Sequence, residues 1–396
     1  MTAASPDSQP QPRAAAHPSR AWLSSVKLTD FRNYVSLSLA LDQRPVVLTG
    51  PNGAGKTNLL EAVSFLSPGR GLRRAALADV ARRGGPETWA VAVTIETSAG
   101  SNDIGTGLAR GPEGPEAQRT VRVNRASATG SDALLEYLRV LWLVPAMDGL
   151  FTGPASERRR FLDRVTLAID RQHGRRVNAF ERAMRGRNRL LAEGNADARW
   201  LTAIETEMAE LGVAVAAARR ECVSLLAGEI AATADLSPAF PPAAVALAGV
   251  LDEMLARGSA TAAEDSYRRI LADSRRADQA AGRTLAGPHL SDLHVRHMPK
   301  DADAATCSTG EQKALLVGLI LAQARLAARL TGETPLVLLD EVAAHLDRTR
   351  REALFGTLLA LDCQACMTGT DTAIFAPLEG AAQRLSVADG VVTPTD

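Results

Sequence analysis

Eight consecutive residues, Gly50, Pro51, Asn52, Gly53, Ala54, Gly55, Lys56 and Thr57, constrain this chain more than any other stretch. They follow an apolar run, PVVLTG, and precede NLLEAVSFLS, where Leu59, Leu60, Val63 and Leu66 fall at helical spacing. Strand, glycine-rich turn, helix is the local fold that this pattern demands. The glycines let successive backbone N–H groups turn inward onto phosphate oxygens, and the helix start adds the positive end of its dipole. In that reading all eight residues hold ATP, Lys56 bridges its β- and γ-phosphates, and Thr57 is a ligand of Mg²⁺.

A second half of such a site needs an acid for the metal and a group that orients water. The run PLVLLDE, Pro335 to Glu341, is unbroken apolar sequence ending in two carboxylates. A strand buried on both faces reads this way, and ligands of parallel sheets sit beyond the carboxyl ends of the strands. Asp340 is therefore the candidate metal acid and Glu341 the candidate catalytic residue that polarises attacking water, alongside Lys56. Upstream, Ser308, Thr309, Gly310, Glu311, Gln312 and Lys313 open a long apolar-periodic helix, with Ser308 as N-cap and Glu311 three residues on, a capping box. One reading stops at the cap. The other makes the uncovered helix end an anion site, and the anion a γ-phosphate held by a second copy of the chain.

At 396 residues the chain has room for about two domains. Lys+Arg 45 balances Asp+Glu 45, and 46% hydrophobic residues exclude wholesale disorder. Four cysteines over this length do not make a disulfide scaffold, which points to a reducing, cytoplasmic setting. Cys363 and Cys366 form one CxxC; no second pair or nearby His set completes a zinc site, so a buried strand is the expectation. The most apolar run, Ala314 to Ala322, is about half of the roughly 20 residues a membrane span needs.

The first 20 residues, rich in Pro, Ala, Ser and Gln, lack the apolar core of a secretory signal and read as a disordered leader. Residues 21–152 alternate like strands around the phosphate loop, with a small antiparallel sheet expected between Trp89 and Val123. Residues 153–282 carry Ala, Leu, Arg and Glu at helical spacing, interrupted at LSPAFPPAAVAL, and 283–396 return to strands and helices. The expected fold is α/β: one P-loop ATPase head with an antiparallel β subdomain, split by an inserted helical arm domain.

Phosphate loop, STGEQ and LLDEVAAHLD in this order resemble the ATP-binding-cassette (ABC-type) heads of the SMC class, with STGEQ as signature motif and Ala344 to Asp347 as D-loop. More narrowly, DFRNY (Asp30 to Tyr34), RRRFLD (Arg158 to Asp163), AGPHLSDL (Ala286 to Leu293) and TGTD (Thr368 to Asp371) are similar to the RecF recombination-mediator family. The likeness runs from about Leu23 to the C-terminus. It implies ATP bound in cis by Gly50 to Thr57 and contacted in trans by Ser308 and Gly310 across an ATP-dependent homodimer. It further implies weak, DNA-stimulated ATP hydrolysis, sequence-independent binding to single-stranded, gapped or junction DNA, a RecR-like partner, and recombinase loading in replication, recombinational repair and the SOS response.

The chain departs from the family at Leu290 and Ser291, where a charged pair is usual, and at Ala146 and Met147, where acids are common, so no Q-loop residue is assigned. TGTD offers no His, which fits slow turnover. Between Phe151 and Trp200 stand 12 Arg against 6 acids in a neutral chain, an electrostatic footprint for phosphate backbones or an arginine-rich solvated face. Arg171, Arg175 and Arg176 are the candidate DNA contacts, whereas Arg158, Arg159 and Arg160 can equally tie the arm to the head. A transporter's nucleotide-binding subunit fits poorly, because 252 positions separate Lys56 from Ser308 and the insertion forms an arm. A scaffold assembled by ATP without hydrolysis remains open at this stage.

Overall fold

The computed structural model describes residues 19–110, 117–194, 197–236 and 238–395. After β1 (Ser19–Arg20), strands β2 (Trp22–Phe31) and β3 (Tyr34–Ala40) form a hairpin across the DFRNY turn; β4 (Val46–Thr49) then leads into the phosphate loop and α1 (Lys56–Ser64). β5 (Trp89–Thr97), β6 (Gly100–Arg110), β7 (Ala117–Val123) and β8 (Ala126–Ser127) complete an antiparallel sheet of order β3-β2-β5-β6-β7-β8. The expected small sheet is thus joined by the first hairpin. β9 (Val140–Leu143) precedes the arm helices α2 (Ala155–Leu167), α3 (His173–Glu193) and α4 (Ala198–Ala232), then β10 (Ala243–Ala248), α5 (Val250–Arg257), α6 (Ala260–Asp273) and α7 (Arg275–Ala281). The chain returns through β11 (Asp292–His297), β12 (Ala302–Asp303), α8 (Thr309–Thr331), β13 (Glu333–Thr334), β14 (Leu336–Leu339), α9 (Arg348–Ala360), β15 (Ala365–Gly369), β16 (Gln383–Ala388) and β17 (Val391–Pro394).

The organising element is a sheet of order β17-β16-β4-β15-β14-β9, parallel except for β17 at its edge. β9 and β14 are apolar at every position, and β4 and β15 nearly so, because both faces of the sheet centre are covered, and alternate residues serve different cores. Val46, Leu48, Leu336, Leu338 and Cys366 face a core shared with α1 and the antiparallel sheet. Val47, Val337, Leu339, Ala365 and Met367 face one shared with α2, α8 and α9. Removing one such side chain, as in Leu338→Ala, would cost about 2–5 kcal/mol.

The arm does not begin where the head ends. Cys222, Val223, Leu226 and Ile230 of α4 belong to the head core, as do Phe161, Leu162 and Val165 of α2. Met208, Ala209, Val213 and Ala216 of the same α4 pack instead with Phe180, Ala183, Leu251, Tyr267 and Leu271 in a separate arm core. The longest arm helix, α4, has 35 residues, within the length the insertion allows.

Two expectations are corrected. Residues 1–18 of the leader lie outside the described residues, but Ser19 and Arg20 pair in parallel with Glu333 and Thr334, so ordered chain starts before residue 21. The stretch read as an interruption contains β10, which pairs with β11 over its whole length; the two prolines before it place it at the edge of a three-stranded sheet. Among the described residues, the one helix long and apolar enough to cross a membrane is α8, mean hydropathy 1.5, and its apolar residues are buried in the head core.

Candidate nucleotide site

β4 ends at Thr49 and the loop turns on Gly50 (φ 152°), Gly53 (φ 82°) and Gly55 (φ 115°). A side chain at Gly50 would lie 2.0 Å from the Val387 carbonyl oxygen, and one at Gly55 would meet the Tyr34 hydroxyl at 2.7 Å. Both positions admit only glycine. The loop is gripped from outside by the DFRNY turn. Tyr34 Oη donates to the Gly55 carbonyl at 3.0 Å, Asn33 Nδ2 to Ala54 at 3.3 Å, and the Arg32 fork holds buried Glu61 of α1 at 2.8 and 2.6 Å. Burial pushes the Tyr34 phenol up to about 12, so it remains a donor. Sequence reasoning found this motif but not its task, which is to brace the loop.

Lys56 is buried and its Nζ donates to the Gly50 and Pro51 carbonyls at 2.7 and 2.8 Å, closing the loop. Burial holds the ammonium below its ordinary value, and the Glu341 and Asp340 carboxylates oppose that shift. Thr57 Oγ1 donates to Asp340 at 2.8 and 3.1 Å. The two candidate metal ligands, 283 positions apart, therefore meet, because β15 places β4 and β14 one strand from each other. A hydroxyl beside a carboxylate is a hard-oxygen pair suited to Mg²⁺, which keeps its remaining positions for water and phosphate.

Thr368, on β15 between them, opens the TGTD motif, whose place in the site sequence reasoning did not give. Its buried Oγ1 donates to Asp340 Oδ1 at 2.8 Å and accepts from the Glu341 N–H at 2.9 Å. One hydroxyl fixes both acids, and it holds Glu341 at φ 53°, a left-handed conformation unusual for a residue with a Cβ. The motif marks the position but not its partners; only the register of β14 against β15 reveals them.

Thr57, Asp340 and Glu341 line one end of a cleft of about 1060 Å³ that continues past Trp142, Val144 and Met147 to α2. Arg164 of α2 stacks over the Trp142 ring at 4.5 Å, and burial brings its guanidinium down to about 10. Ser308 and Gly310 do not line this cleft. They open α8, where the capping box is complete: Ser308 Oγ accepts from the Glu311 N–H, and Glu311 accepts from the Ser308 N–H. Lys300 pairs with Glu311, and this contact with the cap draws its carboxyl down to about 2. Lys313 reaches Asp148 at 3.1 Å and so ties the signature helix to the loop after β9, where no Q-loop residue could be assigned.

The other family motifs are structural ties. Arg158 forks onto Asp292 at 2.7 Å on both nitrogens and caps the carbonyls of Leu150, Phe151 and Gly153. Asp163 accepts from His173 and from Arg219 of α4. Ser291, standing where the family carries an acid, donates to Asp252 at 2.7 Å. Cys363 and Cys366 are free and buried, with Cys366 on β15, and burial pushes both thiols up to about 12. Of the candidate DNA contacts, Arg175 is bound to Asp132 and Arg176 to Asp170, so two of the three are already paired within the fold.

A family model described as RecF/RecN/SMC N terminal domain matches residues 22–380. A protein named DNA replication and repair protein RecF from Mesorhizobium japonicum is 56% identical over 379 residues, 96% of this chain and 99% of that protein. One of the same name from Brucella abortus is 55% identical over 377 residues, 95% of this chain and 97% of that one. A solved structure described as the recombination mediator protein RecF-ATP in the RecFOR pathway has TM-score 0.83 at 20% identity, covering 98% of this chain and 100% of the other. An Smc head domain with an extended coiled coil from Pyrococcus furiosus has TM-score 0.51 at 15% identity, covering 95% of this chain and 96% of that one. The expected ATPase-head fold is the fold these neighbours share.

Proposed function

The chain belongs to the RecF family, and from that premise we propose that it is a DNA replication and repair protein that binds ATP, dimerises on it and clasps DNA while the nucleotide is intact. The observation that carries the reading is the pairing of Thr57 with Asp340 under Thr368, beside a loop that admits no side chain at Gly50 or Gly55. Residues Gly50 to Thr57 hold the triphosphate through backbone N–H groups, with Lys56 turning from the Gly50 and Pro51 carbonyls to the phosphate oxygens. Thr57 and Asp340 would hold Mg²⁺, which neutralises charge developing on the phosphates. Glu341 orients a water for in-line attack and accepts its proton as the water oxygen bonds to the γ-phosphorus and the bond to the bridging oxygen breaks.

Ser308 and Gly310, absent from their own chain's cleft, face the γ-phosphate of a second copy in this proposal. Hydrolysis is slow and serves as the release step. The DNA is single-stranded, gapped or a junction, a RecR-like protein is the partner, and the outcome is recombinase loading in recombinational repair. The cytoplasmic setting is supported by four free thiols. Sedimentation of Glu341→Gln with ATP and gapped DNA tests the scheme: a stable dimer on DNA is expected, and a monomer at micromolar protein rules the sandwich out. Ser308→Arg should bind ATP as the wild type does yet stay monomeric; loss of nucleotide binding would overturn the in-trans role.

A further inference from the structure

Trp200 is 69% exposed, more than any other large apolar side chain among the described residues, whereas Trp89 and Trp142 are buried. It stands in the first turn of α4, at the arm tip where α3 turns back. The inner side of α3 is set by Phe180, Ala183, Arg187 and Leu191, all buried. Its outer side carries Arg175, Arg182, Arg185 and Arg189, all exposed and recurring at helical intervals over about 21 Å at 1.5 Å per residue. Arg175 is tied to Asp132, and Arg185 lies 3.5 Å from Glu181. Arg182, Arg189 and the side chain of Arg199, the neighbour of Trp200, have no ion pair or hydrogen bond among the described residues.

An exposed indole at the start of a helix that packs against one lined with guanidiniums makes a mixed aromatic and cationic surface. It matches a nucleic-acid strand whose bases are free: phosphodiesters take the guanidiniums, and one base covers the indole. An uninterrupted duplex offers the phosphates but no open base face. We propose that the outer face of α3 with Trp200 is a contact surface for DNA carrying unpaired bases, and that the indole is the element distinguishing such DNA from continuous duplex. This rests on the DNA-binding reading above and adds to it the surface and the physical basis of discrimination.

The test is equilibrium binding of the full chain to labelled oligothymidine and to a blunt duplex of equal length. Trp200→Ala should weaken oligothymidine binding about tenfold and leave the duplex unchanged, while Trp200→Phe keeps a stacking face and most of the affinity. Arg182→Ala with Arg189→Ala should weaken both ligands and flatten the salt slope by about one to two. If Trp200→Ala leaves oligothymidine binding within twofold of wild type, or weakens both DNAs equally, the arm-tip surface is overturned while DNA binding stands. If the wild-type chain holds neither DNA with or without ATP, the functional reading itself fails, and this surface with it.

Discussion

The nucleotide site and the arm both bury charge, and they treat it in opposite ways. In the head, Asp340 is held by two neutral hydroxyls, Thr57 and Thr368, and no cation among the described residues comes within ion-pair distance of it. In the arm, the fully buried Arg187 is bound to Glu205 at 3.0 Å, Asp278 at 2.7 Å and the Leu271 carbonyl, with Arg275 closing on the outer side of Glu205. An acid oriented by hydroxyls keeps its charge for a ligand, whereas a cation surrounded by acids has spent its charge on shape. Function sits where the fold leaves electrostatic demand unmet; the arm's network only sets how α3, α4 and α7 pack.

The sharpest way to break this contrast is Arg187→Met. It strands Asp278 without its cation and leaves Glu205 with Arg275 alone, at a cost of about 3–5 kcal/mol. Urea unfolding should register that loss, and ATP binding to the folded fraction should be unchanged, since the network lies outside the head core. Equal loss of nucleotide affinity would mean the two regions are not separable. Thr368→Val is the mirror experiment in the head. Losing one hydroxyl between Asp340 and Glu341 should lower ATP turnover about 10- to 100-fold at nearly constant KM, and Thr368→Ser should restore it. A variant that melts early but turns over normally would reduce Thr368 to a packing residue.

The smallest effect concerns pH. Glu311 is held down to about 2 by Lys300 and the Ser308 cap, below its ordinary 4.5. Because the folded value is the lower one, the contribution is present above 4.5 and fades as pH falls toward 2. Protection of the Glu311 amide in hydrogen exchange should decline across that window. The same decline in Lys300→Ala beginning at higher pH would confirm Lys300 as its main source.

Much of the head was legible in the sequence because its elements are local. The glycine loop, the apolar strand ending in Asp340 and Glu341, and the Ser308 cap each announce themselves within about ten residues. What was hidden depends on register between distant strands. Thr368 acquires its role only when β15 lies against β14, and Asp148 finds Lys313 only after the arm has been bypassed. The arginine count between Phe151 and Trp200 misled in detail for the same reason: composition counts charges, and only the fold shows that Arg158, Arg175, Arg176 and Arg187 are already taken. β10 was missed because Pro241 and Pro242 look like punctuation when they in fact introduce an edge strand.

The membership of α4 in two hydrophobic cores has a mechanical consequence. About 50 Å long at 1.5 Å per residue, it is anchored at one end among head residues and at the other among arm residues, with no break between. Such a helix acts as an axle rather than a hinge. Load applied at the far tip arrives as rotation of Cys222, Leu226 and Ile230 against α8, the helix that begins at Ser308. In the proposed dimer, whatever the arm grips would reach the seam between heads through a single rigid shaft.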